Sequence, residues 1–274
     1  VVLVSEFCGG GFGSKGAGSV SMRFPIVMSK KIGKPVMMRI SRREENFIGR
    51  ARPAVQARAK IGFRRDGRVL AMDLFTIGDG GPYGRSGDHM SLANIASLAY
   101  QPESIRVRGI PVYTNTPPRT AQRAPGGEQA ISMLAPLMDQ AARRLGIDRT
   151  EIIRVNAPEG QATFGAPARD GRQGNVSSAF VLEALDKGME AFNWSERMRR
   201  SGQRNGSKAT GIGVALSTFS AGSSGMDGLM VLRPDGRLQI QTGVGNLGTE
   251  SFSDTARAAA EALDMPWDKV ELVW

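Results

Sequence analysis

Histidine and cysteine are almost missing from this chain of 274 residues, which has one of each, His89 and Cys8. A disulfide framework or a histidine and cysteine zinc site cannot be assembled from such a set. Cys8 defaults to a small buried residue and His89 to a packing role. Aromatics make up only 6% of the residues, and no apolar run reaches the roughly 20 residues that a bilayer span needs. No export leader is legible. Acids are the minority charge, 26 against 36 lysines and arginines, for a net charge of +10. The basic pairs Arg42-Arg43, Arg64-Arg65, Arg143-Arg144 and Arg199-Arg200 are scattered, without an aromatic stacking platform, which disfavours nucleic acid. A basic field serving an anionic cofactor or an acidic partner subunit is the better reading. The expectation is a protein with no membrane span, working in the cytoplasm, or in the periplasm if a partner carries the export signal.

Glycine is abundant, 35 residues, and five fall in eight consecutive positions from Gly9 to Gly16. The preceding Val1-Val2-Leu3-Val4-Ser5-Glu6-Phe7 reads as a strand and the residues from Ala17 onward as a helix. Glycines at a strand end let backbone N–H groups approach a ligand without an intervening Cβ, and the helix N-terminus adds partial positive charge. A ligand with phosphate or oxo groups is expected. Gly11, Gly13 and Gly16 satisfy the dinucleotide pattern G-x-G-x-x-G, which also requires an acid closing the next strand about 20 residues on. The strand expected over Pro35 to Ser41 ends instead in Arg39, Ile40 and Ser41, with Glu44 and Glu45 arriving late. A Walker A loop is excluded because Ser14 precedes Lys15.

Asp66-Gly67 between the alternating runs Val55 to Arg64 and Val69 to Ile77 predicts a hairpin, and Asp235-Gly236 between Val231 to Arg233 and Leu238 to Thr242 predicts a second. Both lead into glycine-rich loops, which suggests two related halves. Met28 to Lys34 is expected to complete the helix that begins at Ala17, and further helices are expected over Glu128 to Leu145, Arg149 to Val155, Ser177 to Phe192 and Phe252 to Leu263. Asn156 to Val176 reads as a linker. The fold class is therefore α/β in the mixed, α+β sense. The expected organisation is a first subdomain over 1–160, a linker over 161–176, and part of a second subdomain over 177–274. Apolar strands at both ends predict a part of a longer polypeptide, or one half of a split one.

The other chemically loaded segment is Tyr113 to Gln129, a proline-stiffened loop that delivers Arg123 to the start of a helix. A guanidinium fork beside helical N–H groups can hold an oxyanion. Arg123 could equally cap the helix or pair with Glu128.

In order and spacing, several segments together resemble the molybdenum-binding subunit of the xanthine dehydrogenase and aldehyde oxidase family of molybdenum hydroxylases. They are Gly9-Gly10-Gly11-Phe12-Gly13-Ser14-Lys15, Arg39-Ile40-Ser41-Arg42-Arg43-Glu44-Glu45, Tyr113-Thr114-Asn115, Thr120 to Gln129, and Leu145 to Asn156. The resemblance covers essentially the whole chain. It implies two related mixed-sheet subdomains, incomplete at both ends, that cradle molybdopterin with its molybdenum, with the cytosine dinucleotide form as an option. It implies oxidation of an aldehyde or N-heterocycle with water-derived oxygen, and electrons leaving to Fe–S clusters and FAD on partner subunits. The implied partners are the remainder of the molybdenum subunit, an Fe–S subunit, a flavin subunit and a small-molecule substrate. By position, Gly11, Phe12 and Gly13, Arg123 and Ala124, and Gly248 and Thr249 correspond to cofactor-binding residues. Phe12 and Arg123 would lie adjacent to the metal without ligating it.

Departures narrow this. Where the family has Gly-Gln-Gly, this chain has Gly248-Thr249-Glu250. Gly16 and Pro125 stand where purine-oxidising members carry an acid and an aromatic, so a purine sandwiched by aromatics is not expected. The family's general-base glutamate falls outside the chain, no catalytic residue is assigned within it, and Glu250 is a poor substitute. The chain alone is expected to be inactive. Substrate-facing positions fall in the loops Gly80 to Ala93 and Ser217 to Gly225. The alternatives are a noncatalytic cofactor-binding or assembly protein of the same fold and, less favoured, a dinucleotide-binding oxidoreductase.

Overall fold

The structure, a computed structural model, describes residues 11–13, 20–82, 87–218, 228–242 and 251–273. It divides into two compact units, one spanning Ala51–Phe219 and the other combining Val1–Arg50 with Ser220–Trp274.

The second of these begins with helices α1 (Val20–Ile32) and α2 (Arg42–Ile48). Residues 35–40, expected as a strand, pair with no neighbouring strand among the described residues. Helix α2 starts at a capping box: the Glu44 amide donates to Ser41 Oγ at 3.2 Å, and the Ser41 amide donates to Glu44 Oε2 at 2.7 Å. Each side chain satisfies an amide that the helix geometry leaves open. Glu44 is thus engaged as a helix cap rather than as the ribose acceptor of a dinucleotide site.

The unit Ala51–Phe219 is built on a sheet of order β1-β2-β3, from β1 (Val55–Phe63), β2 (Val69–Asp79) and β3 (Ser104–Val112). The expected hairpin is present: β1 and β2 run antiparallel around Asp66-Gly67. Helix α3 (Asp88–Tyr100) then crosses over so that β3 lies parallel to β2. Asp88 to Ala93, expected as loop, are its first turns. Helix α4 (Gly127–Leu145) packs on α3, and α5 (Arg149–Asn156) on α4. Met72 and Leu74 of β2, Leu92, Ala96 and Tyr100 of α3, and Ala130, Leu134 and Met138 of α4 fill one core. Alternate β2 residues point inward because successive strand side chains face opposite sides.

Asn156 ties the end of α5 to the hairpin turn. Fully buried, its Nδ2 donates to the carbonyls of Gly67 and Ile152, both at 2.8 Å, and its Oδ1 accepts from the Val69 amide at 2.8 Å. Gly67 has φ +91°, and a Cβ there would sit 2.8 Å from Ile147 Cδ1.

The segment read as a linker carries structure: β4 (Glu159–Phe164) and β5 (Gly174–Phe180) form an antiparallel hairpin. Its pairing claims Ser177 to Phe180, so α6 begins at Val181 and runs to Phe192 rather than starting at Ser177. Helix α7 (Trp194–Arg200) and the short pair β6 (Arg204–Asn205) and β7 (Lys208–Ala209) follow.

The other unit resumes with β8 (Gly228–Leu232) and β9 (Leu238–Thr242), antiparallel around Asp235-Gly236. Helix α8 (Ser251–Ala262) and a 3₁₀ turn over Trp267–Lys269 lead to β10 (Val270–Val273), parallel to β9. The two sheets therefore share one plan: a hairpin, a helical crossover, and a third strand parallel to the second. Their turns match in detail. Arg64-Arg65-Asp66-Gly67-Arg68 and Arg233-Pro234-Asp235-Gly236-Arg237 each close with an Asp side chain accepting from the arginine amide two residues on, at 3.0 and 3.1 Å. In both, the glycine amide donates back to the first arginine carbonyl.

Candidate functional site

The first expected turn is described only at Gly11, Phe12 and Gly13. Phe12 has φ +50° and Gly13 φ +98°, and Phe12 is 56% exposed. A left-handed φ at a phenylalanine is a strained conformation. Cys8, Gly9, Gly10, Ser14 to Gly16, Gly248, Thr249 and Glu250 lie outside the described residues.

The second is the loop from Tyr113 to Gly127, and β2 sets its base. At the end of that strand, Asp79 receives Arg119 Nε at 2.8 Å and Arg119 Nη2 at 2.7 Å, both side chains being mostly buried. Thr116 Oγ1 donates to the same carboxylate at 3.1 Å, as does Thr114 Oγ1, and the Gly81 amide donates at 3.0 Å. Burial alone would raise this carboxyl, but the bonds from Thr114, Gly81, Arg119 and Thr116 outweigh it and hold it below the usual carboxylate range. The loop crosses the start of β1 through a parallel bridge between Ala51 and Arg119, with the Ala51 amide on Pro118 O at 2.9 Å and the Thr120 amide on Ala51 O at 3.1 Å.

From this anchor the chain reaches Arg123, which is exposed. The next residues turn sharply, with φ +54° at Ala124 and +76° at Gly126, and α4 begins. Gly126 is required by packing as well as by φ, because a Cβ would lie 2.6 Å from the Asp88 carbonyl oxygen. The N-cap of this 19-residue helix is Gly126, which has no side chain with which to cap it. Glu128 Oε2 lies 3.6 Å from Arg52 Nε, while Arg52 Nη2 donates to the Arg123 carbonyl at 2.7 Å.

Behind the turn, Gln129 is buried. Its Nε2 donates to Asp88 Oδ2 at 2.9 Å and to the Pro53 carbonyl at 3.1 Å, and its Oε1 faces Arg52 Nη1 at 3.5 Å. His89 packs over the sheet where glycines leave room: a Cβ on Gly109 would meet its Cδ2 at 2.5 Å. Among the described residues no cluster of His, Cys, Asp and Glu could hold a metal ion, and no helix is long and apolar enough to cross a membrane.

Asp79 and Arg52 escaped the sequence reading. Asp79 was visible only as one acid among loop glycines, and Arg52 as one of many scattered cations. Long-range pairing gives each its role.

Comparison with known families decides the assignment. The molybdopterin cofactor-binding domain matches residues 1–157, and a second domain of the same description matches residues 187–274. This chain belongs to the molybdopterin cofactor-binding domain family. The xanthine dehydrogenase molybdenum-binding subunit of Escherichia coli O157:H7 is 28% identical over 281 residues, covering 100% of this chain and 37% of that protein. The aldehyde oxidoreductase molybdenum-binding subunit PaoC of the same organism is 27% identical over 273 residues, covering 98% and 36%. Among solved structures, the aldehyde oxidoreductase from Desulfovibrio gigas superposes with a TM-score of 0.78 at 23% identity, covering 97% of this chain and 29% of that one. The chain spans between 29% and 37% of the length of these relatives, and it shares their mixed α/β fold.

Proposed function

We propose that this molybdopterin-binding chain forms part of the cofactor cradle of a molybdenum hydroxylase that oxidises an aldehyde or an N-heterocycle. The observation that carries the reading is that both cofactor-binding domains match, in order, along one chain. Gly11, Phe12 and Gly13, Arg123 and Ala124, and Gly248 and Thr249 are the residues proposed to hold the cofactor.

The second turn suits an anionic, phosphate-bearing pterin. The N-terminus of α4, with glycine as its N-cap, carries a partial positive charge that an anionic ligand would complement. Left-handed backbone at Ala124 and Gly126 bends the chain there, and the Arg52 guanidinium lies directly behind. When bound, the molybdenum cofactor supplies two-electron oxidation chemistry. The chain's own part is to bind and orient it. The cytosine dinucleotide form, the Fe–S and flavin partner subunits, and the division into subdomains 1–160 and 177–274 belong to the same proposal.

The test is metal and pterin analysis of the purified protein with its co-purifying polypeptides, followed by anaerobic addition of aldehydes and N-heterocycles. Bound pterin with substrate-dependent bleaching supports the hydroxylase. Pterin that is never reduced by any substrate supports the noncatalytic assembly protein instead, and a protein with neither pterin nor molybdenum overturns both.

A further inference from the structure

We infer that Arg52 is the positioning residue that aims the Ala124 amide at the bound cofactor, an inference that rests on the cofactor reading of the Arg123 turn. In a trans peptide the C=O and N–H lie on opposite edges of one plane, and no cis peptide bond occurs among the described residues. Arg52 Nη2 draws the Arg123 carbonyl to 2.7 Å, so the N–H of the same peptide, belonging to Ala124, must point away from Arg52. Pro125, next in sequence, has no N–H to offer. Fixing this one plane therefore fixes one backbone donor at the bend.

Arg52 is itself restrained, at its main chain and at two positions of its guanidinium. Its main chain is held by the neighbouring Ala51 bridge and by Arg119 Nη1, which donates to the Arg52 carbonyl at 3.3 Å. Its Nη1 faces Gln129 Oε1 and its Nε lies near Glu128. Gln129 is oriented in turn: both its amide hydrogens are taken by acceptors, Asp88 Oδ2 and the Pro53 carbonyl, which leaves its oxygen turned to Arg52. The Arg52 side chain is 28% exposed, so its charge is only partly screened by water at the turn. Lysine would keep the charge but has no planar fork with which to hold two acceptors at once.

The experiment compares Arg52→Met, Arg52→Lys and Gly13→Val in the holoprotein. Pterin and molybdenum retained after exhaustive dialysis are measured beside the melting temperature. Arg52→Met is expected to lower retention about tenfold with melting nearly unchanged, and Arg52→Lys to fall between it and the wild type. Wild-type retention in Arg52→Met, while Gly13→Val sheds the cofactor, overturns the role of Arg52 and leaves the cradle reading standing. Undiminished retention in all three variants overturns both. Loss in Arg52→Met that tracks a fall in melting, with Arg52→Lys no better, assigns the residue to folding alone and overturns the positioning role.

Discussion

Arg119 reaches back 40 residues to grip Asp79 at the end of the central strand, with Nε at 2.8 Å and Nη2 at 2.7 Å from one carboxylate oxygen. This pair decides where the loop to Arg123 begins. Asp79 also gathers Thr114, Thr116 and the Gly81 amide, so removing it strands several donors at once. Breaking a mostly buried pair on one side leaves an uncompensated charge, typically at about 3 kcal/mol. Asp79→Ala is expected to destabilise by about that much in urea unfolding. Arg119→Met alone should cost a similar amount, and the double variant less than the two combined.

The same carboxyl gives the fold a pH dependence. Its folded pKa lies below the unfolded value of 3.8, so its stabilisation is present above that value and is lost as pH falls below it. Acid unfolding of the wild type should therefore steepen below about pH 4. Asp79→Asn should flatten that limb, and identical acid limbs for the two would remove Asp79 from the account.

Gly126 and Gly109 make a matched test of close approach. A Cβ at Gly126 would lie 2.6 Å from the Asp88 backbone oxygen, in a residue already at φ +76°. Backbone cannot yield as a flexible side chain can, so Gly126→Ala is expected to cost about 2 kcal/mol and to displace the start of α4. At Gly109 the obstacle is the ring edge of His89, at 2.5 Å. Combining Gly109→Ala with His89→Ala should recover part of the loss, whereas no side-chain truncation should rescue Gly126→Ala.

Much of this architecture can be read locally. Asp66-Gly67 and Asp235-Gly236 mark both hairpins because each three-residue turn puts its glycine at a left-handed φ, +91° at Gly67 and +77° at Gly236, and the amphipathic helix from Glu128 to Leu145 ends at Gly146, which has φ +72°. Ser41 and Glu44 carried a legible capping-box signal for α2 that the pattern of charges obscured. Other parts depend on partners far away. Pro35 to Ser41 has strand-like composition but no described strand beside it, while Ser177 to Phe180, helical by pattern, is recruited by Glu159 to Phe164. The site follows the same division. The glycines and Arg123 stand out in the sequence, but Arg52, Asp79 and Gln129 acquire meaning only when the sheet brings them under the turn.

Asn156 offers a test of how the hairpin turn is held. Its carboxamide makes three bonds of 2.8 Å to Gly67, Val69 and Ile152 with no exposure to water. An unpaired buried polar group costs about 1–3 kcal/mol, and Asn156→Ala takes this partner from the Val69 amide and the Gly67 carbonyl, while the Ile152 carbonyl keeps its bond within α5. A loss of about 3 kcal/mol is expected, with hydrogen exchange at the Val69 amide accelerating more than at Leu74. Asn156→Asp keeps the acceptor for Val69 but turns two donors into a carboxylate facing carbonyls, so it should be at least as damaging at neutral pH and milder in acid. Equal exchange rates in Asn156→Ala and wild type would detach this residue from the turn.

Tyr100 predicts the alkaline limit of the fold. Its ring is buried at the end of α3, and burial, reinforced by the nearby charge of Asp139, pushes the phenol up to about 12. The folded state therefore favours the neutral phenol. Its contribution is fully present below the unfolded value of 10 and is lost as pH rises through the window from 10 to about 12. A shift of this size corresponds to roughly 3 kcal/mol. Asp139 is itself bonded to Arg149 at 3.0 Å, so Asp139→Asn should lower the Tyr100 pKa only slightly while weakening the start of α5. Tyr100→Phe should remove the alkaline loss between those limits and leave neutral stability within about 1 kcal/mol, since it deletes one hydroxyl from an otherwise unchanged ring. Phenolate absorbance followed beside far-UV circular dichroism would show Tyr100 ionising together with unfolding. An ionisation that finishes near pH 10 in the intact fold would mean the ring is not buried as described.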